Sequence, residues 1–530
     1  MIENENKKKR STASLFRSGS VLSLLTLASR ILGLVREMTK ASLMGTSALS
    51  DAYSVAFMIP NLLRRLFAEG SISVAFVPTF KEYLLLKNND ETKEFLDCIF
   101  TFLTFFVSLA VCAGIMVTPF IVRLFGMEEF DETVFLTRLM FPFLAFISIA
   151  ALLQGILNSL RIFAPSGLAP IVLNIVTIAC AYCLSPLTKN PARAMAAGIL
   201  IGGFLEAAIQ LPFVRKHGQK FFFTSLSKAM KNPGTKKVLR LIGPTIIGMA
   251  AYQLNDLVST ALAGNVGAGV VSSLQYSLRL QELFLGVFAV SIGTVLLPDL
   301  SEYAKARDWP SYNERLLGAM DIIALITVPV TFFALSQGNL LIRLLFESQS
   351  FDEVSSALTL SAFAFHMPGL LFIALNRILA PAFYAQSDSK SPTLAGLISF
   401  AVNILLAAIL SISFKGAGIA FALTAASAVN TILLLVFLRK NPQIAVPKAA
   451  KSAILYTGKL IVLSGIALVP VYFLAPSLTA LFAAYSRIFK YGIPLAGNAL
   501  VFGAILLLLL YISRDKQLRA LLRMIKRKIV

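Results

Sequence analysis

Charge is what this chain has least of. Only 14% of its 530 residues are Asp, Glu, Lys or Arg, against roughly 25% in a soluble domain. That is too little to give a wetted surface to the three or four soluble domains such a length would suggest. Acids are scarcer than bases, 27 against 48, leaving a formal charge of +21. Nucleic-acid binding is excluded on the same ground, because such proteins are rich in charge as well as basic. Cysteine is also scarce. Cys98, Cys112, Cys180 and Cys183 all lie in apolar runs. The CxxC spacing of Cys180 and Cys183 falls in NIVTIACAYCL with no second ligand pair, so it reads as two packed thiols in a span. No metal site and no cofactor are expected. The polar start, Met1 to Arg10, is not followed by a short apolar stretch with a small-residue cleavage site, so the first span is expected to be retained.

What is present is apolar length. Apolar residues make up 57% and the mean hydropathy is +0.78. A bilayer core takes about 20 mostly apolar residues per helix. That ruler predicts spans near 19–44, 50–84, 96–122, 134–160, 167–187, 194–214, 238–263, 270–299, 315–337, 355–384, 392–413, 416–438, 453–474 and 491–512. The runs are continuous rather than alternating, which excludes a β-barrel. The expected fold class is an all-α polytopic membrane protein of about 14 transmembrane helices.

The cations fall on one set of loops: Lys7–Arg10, Lys81 to Lys93, Arg161, 215–240, Lys305 to Arg315, Lys390, Arg439 to Lys451, and Arg514 to Lys528. The other loops (45–50, 128–132, 265–269 and 347–353) are short and neutral or acidic. The positive-inside rule puts the first set and both termini in the cytoplasm. Lys189, Arg193, Arg487 and Lys490 fall outside this pattern. The longest loop holds eight cations and no acid, with Phe221, Phe222, Phe223, Leu226 and Met230 as an apolar side. It reads equally as an amphipathic segment on anionic lipid and as an ordinary positive-inside linker.

An internal repeat divides the chain. Val77-Pro78-Thr79-Phe80-Lys81-Glu82-Tyr83 is matched by Leu297-Pro298-Asp299-Leu300-Ser301-Glu302-Tyr303, 220 residues on. Arg123-Leu124-Phe125 followed by Phe130-Asp131-Glu132 is matched by Arg343-Leu344-Leu345-Phe346 followed by Phe351-Asp352-Glu353 at nearly the same offset. Six spans per copy is an even number, so the copies insert in parallel, as in a two-lobed transporter with a central site. The expected organisation is a cytoplasmic segment (1–18), an N-lobe (19–214), a basic linker (215–237) and a C-lobe (238–438). A second basic linker (439–452), an unmatched helix pair (453–512) and a basic tail (513–530) follow.

Charges inside spans are costly and usually face a water-filled interior. The first span, LTLASRILGLVREMTK, carries Ser29, Arg30, Arg36 and Glu37; residues seven apart share a face. The second carries Asp51 and then PNLLRRLFAEGS, with Asn61, Arg64, Arg65 and Glu69. The eighth carries Arg279 and Glu282, three apart. Arginine forks match phosphate oxygens, so this set reads as a diphosphate site; buried Arg–Glu pairs that fasten helices are the alternative. Arg65 is the weakest member, since on a helix it points about 100° from Arg64. Asp256 in the seventh span suits a coupling cation or a packing hydrogen bond equally. Asn403 and Asn430 suit helix packing, Asp321 an interfacial place, and His366 a satisfied span histidine.

The stretches SRILGLVRE, SDAYSVAFMIPNLLRRLFAEGSISVAFVPTF, SLRLQELFLGVFAVSIGTVLLPDLSEY and PAFYAQSDSKSP resemble the MurJ (MviN) family of lipid II flippases, within the multidrug/oligosaccharidyl-lipid/polysaccharide exporters. The resemblance covers nearly the whole chain. It implies fourteen helices, two six-helix lobes in a V, and a final pair forming a groove for the lipid tail. It carries a substrate-binding role to Ser29, Arg30, Arg36, Glu37, Asp51, Asn61, Arg64, Glu69, Arg279 and Glu282. Glu37 stands where many members have aspartate, and the region after Asn403 lacks an acid for a cation site, with Ala407 one turn on. The resemblance further implies lipid II and membrane lipids as partners, no nucleic acid, a monomer, no catalytic residue, and a bacterial cytoplasmic (inner) membrane location with a role in peptidoglycan synthesis. The rival readings are a cation or multidrug antiporter, which would want acids and aromatics in its cavity, and a polyprenyl-phosphate enzyme, which would want clustered carboxylates for a metal.

Overall fold

The computed structural model describes residues 24–66 and 75–519, with the backbone alone for 244–252 and 287–295. Glu69, Lys7 to Arg10 and the last cations of the tail lie outside the described residues. Every described regular element is a helix. The first, α1, covers 24–44. It is followed by α2 (Ala48–Arg64), α3 (Val77–Leu86), α4 (Asn89–Arg123), α5 (Phe130–Met140), α6 (Phe143–Ser159), α7 (Ala164–Thr188), α8 (Pro191–Ala208), α9 (Leu211–Lys216), α10 (Leu226–Lys231) and α11 (Pro233–Gly264). Then come α12 (Val270–Ala306), α13 (Trp309–Phe346), α14 (Glu353–His366), α15 (Gly369–Tyr384), α16 (Lys390–Leu438), α17 (Val446–Leu481), a π-turn at Ile488–Gly492 and α18 (Ile493–Ile512).

Among the described residues, eight helices are long and apolar enough to cross a membrane, or nine if the bent pair α14–α15 is one span. Those that fall short include α1, α2 with α3, and α12, the segments in which the sequence concentrates its charge. α16 is two spans in one continuous assignment, broken at Lys415, whose backbone is left-handed (φ 49°). With that break, and with α2 and α3 taken as the described parts of one span, the segments follow the fourteen expected from sequence in the same order. The chain is a polytopic membrane protein.

The chain packs as two compact units, residues 1–268 and 269–530. The repeat groups α11 with the second lobe by descent, whereas by packing α11 belongs to the first unit. In that unit three helix starts are capped by asparagine. Asn190 and Asn232 cap α8 and α11 through their side chains, each followed by proline at the first helical position, where its missing N–H costs nothing. Asn88 and Glu91 form a capping box at the start of α4. α7 and α8 approach closely through small residues. A Cβ on Gly198 would lie 2.9 Å from Thr177 Cα and from Cys180 Cβ, the close backbone contact that small residues allow between membrane helices. Cys183, by contrast, is exposed on α7 rather than packed, so only Cys180 fits the reading of packed thiols. Arg193, one of the misplaced cations, meets Glu132 through two hydrogen bonds of 2.9 and 2.6 Å and lies over the Phe135 ring. Its charge is therefore matched locally.

The 215–237 linker takes in the last residues of α9, the six-residue α10 and the start of α11, with a non-helical stretch at 217–225 between α9 and α10. It is tied to α4 along its length. Phe221 and Phe223 pack on Phe100, the Phe222 amide donates to Asp97 Oδ1 at 2.6 Å, and Lys228 pairs with Glu94 at 3.3 Å.

In the second unit the α14–α15 pair bends by 46° at Met367-Pro368, because proline removes one amide from the ladder. The freed carbonyls are taken up by neighbours. Thr424 donates to Phe365 O at 2.7 Å, Thr331 donates to Met367 O at 3.2 Å, and Gln281 donates to His366 O. The unmatched helices α17 and α18 pack on α13 through Leu460, Ala467, Val471, Phe502 and Leu506. Asp515, just beyond α18, closes that bundle. It accepts from Lys459 at 2.6 Å and Tyr456 at 3.1 Å. Burial alone would raise its carboxyl pKa, but Lys459, the Leu518 amide and Tyr456 together hold it below its ordinary value. Asp321 receives Gln517 at 3.1 Å, so it too fastens the tail.

The α7–α8 contact makes a direct prediction. Gly198→Leu should overpack it and cost about 1–3 kcal/mol, read as a lower unfolding temperature of the detergent-solubilised protein. Gly458→Leu, at a position with open space, should leave that temperature unchanged.

Candidate functional site

The first unit's charge cluster is built by a hairpin. α1 ends at Gly45, whose φ of 55° suits glycine. Ser47 then caps α2, its side chain accepting from the Ser50 amide at 3.2 Å. So short a turn makes α1 and α2 antiparallel neighbours, and residues equally far from Ser47 face one another. Lys40 and Ser54 are such a pair, with Nζ to Oγ at 3.0 Å. On the same face Arg36 Nη2 lies 3.2 Å from Glu37 Oε1, and Lys40 Nζ lies 3.4 Å from Glu37 Oε2. Arg36 also sits over the Phe57 ring, 5.4 Å from its centroid. Asp51 is buried nearby and acts on Lys40 through its charge. Arg36 and Glu37 are thus in contact, with Lys40 reaching Glu37 from the other side of its carboxylate and Ser54 from α2. Arg30 is exposed at the other end of α1, about 9 Å along the axis from Arg36 at 1.5 Å per residue. The backbone of Ser29 accepts from Asn174 at 3.4 Å.

On α2 the Arg64 Nε donates to Asn61 Oδ1 at 2.8 Å. Arg65 points elsewhere, as the helical angle requires, and meets Asp256 of α11 at 3.6 Å. The candidate ion-coupling acid therefore has a guanidinium beside it, with which any bound cation would compete. Both side chains are well exposed, 39% and 48%, so the pair contributes little, about 1 kcal/mol or less.

In the second unit, Arg279 and Glu282 pair one turn apart on α12 at 3.1 Å. Other residues of α12 hold it in place. Ser277 Oγ lies 2.7 Å from His366 Nδ1, which makes His366 a satisfied span histidine. Two residues stand out that the sequence pattern did not flag. Lys40 has only 2% of its side chain exposed; its spacing of three from Glu37 is the signal in the sequence that could have found it. Arg377 is exposed on α15, a single cation in LLFIALNRILA.

A helical membrane protein that keeps arginines inside its spans, several of them beside a carboxylate or an amide, has the makings of a transporter for an anionic substrate. Comparison with known proteins narrows this. The model of the family described as "Lipid II flippase MurJ" matches residues 40–491. The chain is 46% identical over 523 residues to a probable lipid II flippase MurJ of Treponema pallidum, covering 98% of this chain and 99% of that one. It is 33% identical to a lipid II flippase MurJ of Burkholderia cenocepacia, covering 81% and 84%. Among solved structures, one described as lipid II flippase MurJ in an inward closed conformation superimposes with a TM-score of 0.76 at 26% identity, covering 93% and 99%. An inward-facing multidrug resistance MATE family transporter reaches 0.65 at 13% identity, covering 81% of this chain and 98% of that one, a likeness of fold alone. The chain belongs to the lipid II flippase MurJ family.

Asp256 can be tested directly. If its role is to neutralise Arg65, Asp256→Asn with Arg65→Gln should support growth of flippase-depleted cells as the parent does. Failure of Asp256→Asn in both backgrounds would give the acid a coupling role instead.

Proposed function

We propose that the protein moves lipid II, the undecaprenyl diphosphate that carries the peptidoglycan disaccharide-pentapeptide, from the cytoplasmic to the outer leaflet by alternating access. The family supports this substrate. What carries the reading in this chain is Arg36, a guanidinium held on α1 by Glu37 and Phe57 inside the α1–α2 hairpin. Arginine offers five N–H donors in a fixed fork, and the phosphate oxygens of the head group can take those that Glu37 leaves. Arg30 and Arg279 are proposed to meet the head group in the course of transport, with Ser29, Asp51, Asn61, Arg64, Glu69 and Glu282 as supporting polar contacts. The helix pair 453–512 is proposed to keep the isoprenyl tail in lipid.

The remaining features belong to the same proposal. Both termini face the cytoplasm, the lobes are 19–214 and 238–438, and the protein acts as a monomer. No bond is made or broken, so no catalytic residue is needed. The polar head never crosses hydrocarbon; it is carried past the barrier on fixed charges whose desolvation was met when the helices assembled.

Arg30→Ala, Arg36→Ala and Arg279→Ala should each fail to sustain cells depleted of their own flippase while still inserting at parental levels. Loss of one charge-assisted phosphate contact is worth about 1.5–3 kcal/mol, or roughly 10- to 100-fold in affinity. Full growth with all three variants would contradict the proposed site.

A further inference from the structure

Lys40 is among the largest fully buried side chains of the described residues, and nothing above gives it work. A lysine in that position is expensive, yet the α1–α2 hairpin brings Nζ to Ser54 Oγ at 3.0 Å and to Glu37 Oε2 at 3.4 Å. The geometry of Glu37 is informative. Its two oxygens are divided: Oε1 goes to Arg36 and Oε2 to Lys40. A carboxylate left alone with an arginine closes on it with both oxygens in a bidentate fork. Here that fork is open, so Arg36 gives Glu37 a single N–H contact and keeps the rest of its donors.

The local charge balance points the same way. Glu37 faces Arg36 and Lys40 together, and a carboxylate set on Arg36 alone would counter its attraction for an anion. Lys40 supplies a second positive charge, fully buried, that Asp51 also acts on through its charge. An apolar residue at this position would leave Glu37 without its Lys40 contact in a low-dielectric hairpin.

We propose that Lys40 is a positioning residue for the anionic substrate: it draws off one oxygen of Glu37, matches the charge of Asp51, and so leaves the Arg36 guanidinium free to receive a diphosphate. The proposal rests on the reading of Arg36 as a diphosphate ligand. It assigns Lys40 no contact with substrate, since the side chain is buried behind Glu37.

The test uses the purified full-length chain in detergent, with binding of undecaprenyl diphosphate measured at equilibrium. Arg36→Ala must weaken binding strongly; if it binds as the parent does, the diphosphate reading of this hairpin fails irrespective of Lys40. Given that result, Lys40→Met should weaken binding about tenfold or more, and Lys40→Arg should stay within a few-fold of the parent. A purely structural lysine would lower the yield or unfolding temperature of Lys40→Met and leave the affinity of its folded fraction unchanged, which would overturn the proposal. If Lys40→Met does not fold, Lys40→Gln, which keeps a donor for Ser54 but not the charge, decides: a tenfold or greater loss of affinity supports the proposal, and parental affinity overturns it.

Discussion

A charge inside a bilayer must find its opposite or water, and this requirement organises the chain. An isolated lysine or arginine at mid-membrane costs several kcal/mol on any scale. The described spans answer with local partners. Arg36 and Lys40 share Glu37, Arg65 meets Asp256, Arg279 meets Glu282, and Arg64 is bonded to Asn61. Most of these pairs lie on one helix or one hairpin, so each is assembled as soon as that element forms. Such pairing does more than reduce a penalty. It fixes where each guanidinium points, and a fixed guanidinium can receive a phosphate without rearrangement.

The same requirement explains one exception to the loop charges. Arg193 sits in the first turn of α8, at an end that the positive-inside rule assigns to the outside, and Glu132 of α5 neutralises it. Arg343 is bonded to Glu353 at 2.8 Å, where the first copy of the repeat has Arg123 and Glu132. In the first copy the glutamate has changed partner and turned to Arg193 across the bundle. The two halves thus keep one sequence motif while solving the charge problem with different contacts.

Much of the fold was legible because membrane physics imposes a one-dimensional ruler. Fourteen apolar lengths, the break at Lys415 and the proline bend at Met367-Pro368 all follow from local sequence. The in-span charges were legible for the same reason, since a charge in an apolar run is conspicuous. Lys40 was not, because its burial depends on a hairpin that puts Ser54 opposite it, and a serine in an apolar run gives no signal. The linker was half legible. Its basic and aromatic composition reads equally as an amphipathic segment on lipid and as an ordinary linker; Phe221 and Phe223, in a non-helical stretch, pack on the Phe100 ring. The packing of α11 with the first unit was hidden as well, since a repeat records descent and packing records contact.

The central claim is that this chain carries lipid II across the membrane on arginines held inside its spans. The most direct measurement follows lipid II at the outer surface of cells whose own flippase has been depleted and replaced by this chain, using an external probe that modifies or cleaves the exposed head group. The account predicts that the parent chain restores the surface signal and that Arg36→Ala, present at equal level in the membrane, does not. Surface lipid II that returns equally with Arg36→Ala, or that does not return with the parent chain, would contradict it.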